Sequence, residues 1–146
     1  SGRPVAAEVL NAVGNTLRGD DGIGHWVVAQ IEKKKLPKVT VRYMQQLHID
    51  LLEELGRFDT VIVADAAMQE APATLEPIAI KDEGLSSSHR ADAATLKSLH
   101  HKLYQQSLQW MACGIKATDF DMGESISKAT LKNGEKALEL LLAFLR

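Results

Sequence analysis

The chain has 146 residues, of which 45% are hydrophobic and 25% are charged, and this is the composition of one ordinary globular domain. Seventeen Lys and Arg residues against nineteen Asp and Glu residues give a net charge of −2, so no basic surface for nucleic acid or anionic lipid is expected. The sequence contains no run of about twenty apolar residues, and its single cysteine, Cys113, cannot form an internal disulfide and is expected to be buried. We therefore predict one domain over residues 1–146, monomeric and cytoplasmic, with no membrane or nucleic-acid partner.

The first half of the chain alternates between short apolar runs and helical patterns. A strand is predicted over residues 9–13, and the spacing of apolar residues predicts an amphipathic helix over 23–35. Residues 39–44 alternate as a strand does, and residues 50–55 resemble a short helix. The continuous apolar run at 60–64 is typical of a central parallel strand.

The second half continues this alternation with a strand over residues 74–80, a helix over 91–105, a strand over 108–114 and a helix over 128–145. The pattern predicts an α/β fold, a three-layer α/β/α sandwich with a mostly parallel, twisted sheet of about five strands. Ligands of such sheets bind beyond the carboxyl ends of the strands, so residues that follow strands are the first candidates for function.

A glycine-rich segment, GNTLRGDDGIG at residues 14–24, follows the first predicted strand. It matches neither G-x-G-x-x-G nor G-x-x-x-x-G-K-S/T, and its two adjacent carboxylates, Asp20 and Asp21, would repel a phosphate. One Asp can cap the helix that follows, which leaves the second acid without a structural role. We assign capping to one Asp and metal contact to the other.

Two further side chains stand at predicted sheet edges. Asp65 ends the third strand, and His89 lies in a polar segment that leads into the helix predicted from residue 91. The first and third strands of a doubly wound sheet are commonly neighbours, which would bring Asp65 close to the acids of the glycine-rich segment. Two carboxylates and one imidazole suit a divalent ion such as zinc or nickel, although Asp65 taken alone is also a common turn residue. The other histidines are expected at the surface: His25, His48, His100 and His101.

The segment GNTLRGDDGIG resembles the amino-terminal signature of the hydrogenase maturation proteases. The resemblance extends, in the same order and with similar spacing, to VADA at residues 63–66, to the His-containing segment at 88–89 and to FDMGESIS at 120–127. By this resemblance the metal-contacting and catalytic residues are Asp21, Asp65 and His89.

The family resemblance implies a three-layer sheet fold and an aspartyl-type endopeptidase. Such an enzyme removes the carboxyl-terminal extension of its partner, a nickel-iron hydrogenase large-subunit precursor, after nickel has been inserted. The nickel is expected to come with the substrate, and zinc, cadmium or calcium can take its place in the isolated protein. Many members carry an acidic residue or a His-Gln pair after the second strand, where this chain has MQQL at residues 44–47, so the hydrogenase group that it serves stays open.

Two mechanisms remain open from the sequence. The ion can be a hydrolytic cofactor that lowers the pKa of its bound water, or it can be a recognition element while Asp21 or Asp20 assists the water as a general base. We favour recognition, because an enzyme that must wait for nickel insertion needs a way to sense the metal. A non-cleaving, metal-dependent chaperone or binding module for the precursor would keep the same ligands. Residues 123–124 are expected to cap the terminal helix rather than to contact substrate.

Overall fold

The computed structural model describes residues 7–79 and 88–146, and for residues 88–91 it describes the backbone alone. Its strands are β1 (Glu8–Val13), β2 (Val39–Met44), β3 (Thr60–Ala67), β4 (Ala73–Pro77) and β5 (Gln109–Lys116). They form one sheet in the order β2-β1-β3-β5-β4, in which β1, β2, β3 and β5 are parallel and β4 pairs antiparallel with β5. The prediction of a mostly parallel sheet of five strands is confirmed.

Helices cover both faces of this sheet. They are α1 (Ile23–Lys33), α2 (Ser88–Tyr104) and α3 (Lys128–Leu145), with 3-10 helices at Gly19–Gly22 and Ile49–Arg57. Successive side chains of a strand point to opposite faces, so β1 sends Leu10 into the core beneath α1 and α3, and Val9 into the core beneath α2. The three-layer α/β/α arrangement follows from these two cores.

Several boundaries differ from the predictions in ways that affect the candidate site. Strand β3 continues to Ala67, so Asp65 lies within the strand rather than after it. Helix α2 begins at Ser88 rather than at residue 91, which places the backbone of His89 in the first helical turn. The fourth strand runs antiparallel because residues 68–72 are too few to carry the chain back to the end of the sheet at which the parallel strands begin.

The core contains Cys113, which is buried in β5 as expected. Within residues 7–79 and 88–146, no helix is long and apolar enough to cross a lipid bilayer.

Candidate functional site

The Asp20 carboxylate is fully buried and accepts five hydrogen bonds from residues far along the chain. Its Oδ1 accepts from the Ser127 N–H at 2.7 Å, and its Oδ2 accepts from the Thr130 hydroxyl at 2.6 Å and the Ser127 hydroxyl at 3.0 Å. The N–H groups of Thr118 and Asp119 also donate to Oδ2, at 3.2 and 3.0 Å. Burial raises the pKa of Asp20, but these hydrogen bonds outweigh it and lower the pKa to about 2.

The prediction that one of the two acids caps the helix that follows is wrong. The N-cap of α1 is Gly22, and no side chain makes a capping hydrogen bond there. Asp20 instead lies at the start of α3, beside the N-cap Ser127. Because Asp20 is buried, fully hydrogen-bonded and strongly acidic, it is unsuited to act as the general base that the sequence left open.

The prediction that residues 123–124 cap α3 is wrong, because Ser127 occupies that position and its hydroxyl accepts from the Thr130 N–H. Gly123 pairs with the glycine-rich segment instead. Its carbonyl accepts from the Gly19 N–H at 2.7 Å, and its own N–H donates to the Leu17 carbonyl at 2.8 Å. The connection between β5 and α3 thus supports the loop that carries both acids.

Asp21 turns the other way, towards the end of β1. Its Oδ2 accepts a hydrogen bond of 2.7 Å from the Asn15 N–H. Gly14 has a φ of +144°, and a Cβ on Gly14 would overlap the Asp21 carbonyl oxygen, so this turn requires glycine. Among the described residues, none donates a hydrogen bond to Oδ1 of Asp21.

Asp65 is 3% exposed and lies near the carboxyl end of β3. β1 and β3 are neighbours, with Ala12 opposite Ala64, as the doubly wound topology predicts. A Cβ on Gly24 would overlap the Ala64 carbonyl oxygen and lie 3.3 Å from the Asp65 Cα, so α1 begins directly against this part of β3. The structure thus brings Asp21 and Asp65 to the same edge of the sheet.

The His89 backbone lies in the first turn of α2, and its side chain is outside the described part of the molecule. Because α2 ends at Tyr104 and β5 begins at Gln109, the helix runs back along the sheet and starts near the carboxyl edge. Where side chains are described, no three His, Cys, Asp or Glu residues are grouped to hold a metal ion. The His89 imidazole lies outside the described side chains, so the site of Asp21, Asp65 and His89 stays a prediction, with a donor set that fits nickel or zinc.

An open depression of about 530 Å³ adjoins the Asp21 loop, and sequence reasoning missed it. The residues that line it are Thr16, Gly22, His25, Trp26, Ala29, Tyr43, Glu124 and Ile126. In the sequence, this depression is indicated only by the spacing of Gly22, His25, Trp26 and Ala29, which places them on one face of a helix.

Two histidines are not the solvated surface residues that were expected. His25 is half-buried, its ring lies 5.6 Å from the Tyr43 ring, and burial lowers its pKa while the Asp21 carboxylate offsets part of the shift. His100 is 1% exposed and packs against the Tyr104 ring at 5.0 Å. Both are on helices, where the face that becomes buried depends on packing that the local sequence does not specify.

No family model matches the chain, and no curated protein matches it significantly. Solved structures do. HybD from E. coli, a hydrogenase maturating endopeptidase, has a TM-score of 0.80 and 21% identity, covering 96% of this chain and 92% of its own. HybD from Thermococcus kodakarensis, a NiFe hydrogenase maturation protease, has a TM-score of 0.76 and 19% identity, covering 96% and 99%. A further endopeptidase from Escherichia coli has a TM-score of 0.75 and 24% identity, covering 96% and 92%. Over nearly its whole length, this chain has the fold of the hydrogenase maturation proteases.

Proposed function

We propose that this protein is an endopeptidase that removes the carboxyl-terminal extension of a nickel-iron hydrogenase large-subunit precursor after nickel insertion. One observation carries the proposal: the pairing of β1 with β3 sets Asp21 and Asp65 at one sheet edge. The fold around that edge is shared with proteins described as hydrogenase maturation endopeptidases. The motif resemblance at residues 14–24 points to the same reaction.

Nickel enters this proposal as part of the substrate. Held by the precursor's own cysteine ligands, it would also be bound by Asp21, Asp65 and His89. Asp21 suits this role, because Asn15 occupies only its Oδ2 and leaves Oδ1 for the ion. Metal and peptide would then complete the binding surface together. Neither the metal contacts nor the peptide contacts alone would hold the scissile peptide bond in attack geometry.

Of Asp20 and Asp21, Asp21 is the acid left to assist the attacking water, through a lone pair of its carboxylate that neither Asn15 nor the ion uses. Asp20 is unsuited to it, since five donors surround its buried carboxylate. Cys113 lies opposite Ala64 in the sheet, but its side chain is fully buried in the core and is not exposed to a substrate. The proposed enzyme therefore uses no activated Ser or Cys, and inhibitors of serine and cysteine proteases should leave it active.

Nucleotide binding, the other reading of a glycine-rich loop after a strand, is disfavoured by the same geometry. The Asn15 N–H, one of the backbone donors that this loop could offer to a phosphate, is already bound to the Asp21 carboxylate at 2.7 Å.

The test mixes the purified protein with nickel-free and nickel-loaded precursor and follows release of the carboxyl-terminal peptide by mass spectrometry. Cleavage is expected of the nickel-loaded form only. Asp21→Asn should abolish it, whereas Glu139→Gln, the same loss of charge at an exposed position of α3, should not. Equal cleavage of both precursor forms, or digestion of casein, would contradict nickel recognition. Stable binding of the loaded precursor without cleavage would instead favour the chaperone.

A further inference from the structure

We infer that Asp20 is a positioning residue for Asp21: its hydrogen bonds to the start of α3 fix the loop so that the Asp21 carboxylate gives one oxygen to Asn15 and keeps the other for a ligand. The identity of that ligand, nickel, rests on the proposed function. The positioning itself is a property of the folded chain and can be measured without metal.

The loop lies in a cradle formed by the connection between β5 and α3. The Asp20 N–H donates to the Asp119 carbonyl at 2.7 Å, and the Gly19 N–H donates to the Gly123 carbonyl at 2.7 Å. A Cβ on Gly19 would lie 2.7 Å from the same Asp119 oxygen, and the φ of Gly19 is +53°. Both the backbone and the side chain of Asp20 are therefore held by one distant segment.

Asp20 makes more contacts than a helix cap requires. Helix α3 already has its own cap, since the Ser127 hydroxyl accepts from the Thr130 N–H at 3.3 Å. Asp20 adds acceptors for that hydroxyl, for the Thr130 hydroxyl and for two N–H groups outside the helix. A carboxylate that joins two segments in this way fixes the position of its own loop as well as the start of α3.

The constraint passes from Asp20 to its neighbour through the 3-10 helix Gly19–Gly22. The Asp21 N–H donates to the Arg18 carbonyl at 3.1 Å, which fixes the peptide plane between the two acids. The Asp21 side chain then reaches back to the Asn15 N–H, over a glycine whose missing Cβ leaves the necessary space. If the Asp20 side chain loses its hydrogen bonds, the turn keeps only its backbone contacts to this segment and is held less firmly at its distance from Asn15.

Hydrogen exchange of the Asn15 amide reports the Asp21 contact directly. In the full chain without metal, Asp20→Asn should accelerate this exchange about tenfold, as expected for loss of a charge-assisted hydrogen bond. Asp21→Ala removes the acceptor of the Asn15 N–H, so its exchange rate gives the largest acceleration expected. Thr130→Val deletes the shortest donor to Asp20, together with an acceptor of the Ser127 hydroxyl, and is a milder variant with the same expected direction. Leu141→Ala, a core change on α3, is the control for general destabilisation and should leave Asn15 exchange unchanged under folding conditions.

Calorimetric titration with Ni²⁺ alone forms the second arm. Asp20→Asn should weaken Ni²⁺ binding by about tenfold or more, the usual effect of removing a group that orients a ligand, while Leu141→Ala should not. Wild-type Asn15 exchange in both Asp20→Asn and Thr130→Val, or equal acceleration in Leu141→Ala, would overturn the positioning role. If exchange responds as expected but Asp21→Ala binds Ni²⁺ like the wild type, the positioning role stands and the proposed metal site fails.

Discussion

The carbonyl oxygen of Ala64 occupies the space where Gly24 would carry a Cβ, so the first turn of α1 lies directly on the backbone of β3. Backbone atoms of a central strand cannot move aside as the end of a flexible side chain can. This contact places the loop bearing Asp21 against the strand bearing Asp65, and it makes Gly24 a determinant of the candidate site.

Gly24→Ala should therefore destabilise the fold by about 1–3 kcal/mol, the usual cost of forcing an extra methyl group into a packed contact. Urea denaturation measures the change. Gly56→Ala is the matched control, because the nearest atom to a Cβ there is Gln106 Oε1 at 3.8 Å. Equal stability of the two variants would show that α1 can shift away from β3 without cost.

Asp20 should make the protein sensitive to acid. Its ordinary pKa is 3.8 and its pKa in the folded protein is about 2, so between these values the unfolded chain binds more protons than the folded one. The stability that Asp20 contributes is present above about pH 4 and is lost as the pH falls towards 2. Chemical denaturation across this range should give a shallower pH dependence for Asp20→Asn than for the wild type. Parallel curves would contradict the strong hydrogen bonding of this carboxylate.

His100 should contribute a second pH dependence. Burial and the neighbouring His101 lower its pKa from 6.5, so at and below that pH the unfolded chain takes up a proton that the folded protein resists. Stability should then fall as the pH drops below 6.5, and His25 adds an effect of the same sign. His100→Phe keeps a ring against Tyr104 and removes the titrating group. Melting curves from pH 7.5 to about 5 should show a smaller loss for this variant.

Free protein should bind Ni²⁺ weakly, because two carboxylates and one imidazole leave much of the coordination sphere to be filled by the precursor. Zinc, cadmium and calcium should compete for the same residues in the isolated protein. Titration calorimetry with each ion, repeated on Asp65→Asn, measures this. Sub-nanomolar affinity, or affinity indifferent to Asp65→Asn, would show that the metal is a resident cofactor or lies elsewhere.

The order and type of the elements could be predicted from the sequence because they depend on local hydrophobic patterning. The continuous apolar run of β3 requires burial on both faces, and the amphipathic patterns of α1 and α3 require a sheet to cover. β1 and β3 are adjacent in the sheet because successive crossover connections are right-handed. The placement of Asp21 and Asp65 at one edge of the sheet was therefore also predictable.

The sequence alone could not decide which of two adjacent, chemically identical acids would be structural. Asp20 and Asp21 have the same side chain and the same local context, and the distinction arises from donors about a hundred residues further along the chain, at Thr118, Ser127 and Thr130. Those donors are next to Asp20 only in the folded chain, where α3 packs against α1. Long-range hydrogen bonds therefore decide that Asp20 is the structural acid. The sheet edge at which Asp21 lies was already predictable from the sequence alone, because it follows from the local pattern of strands and helices.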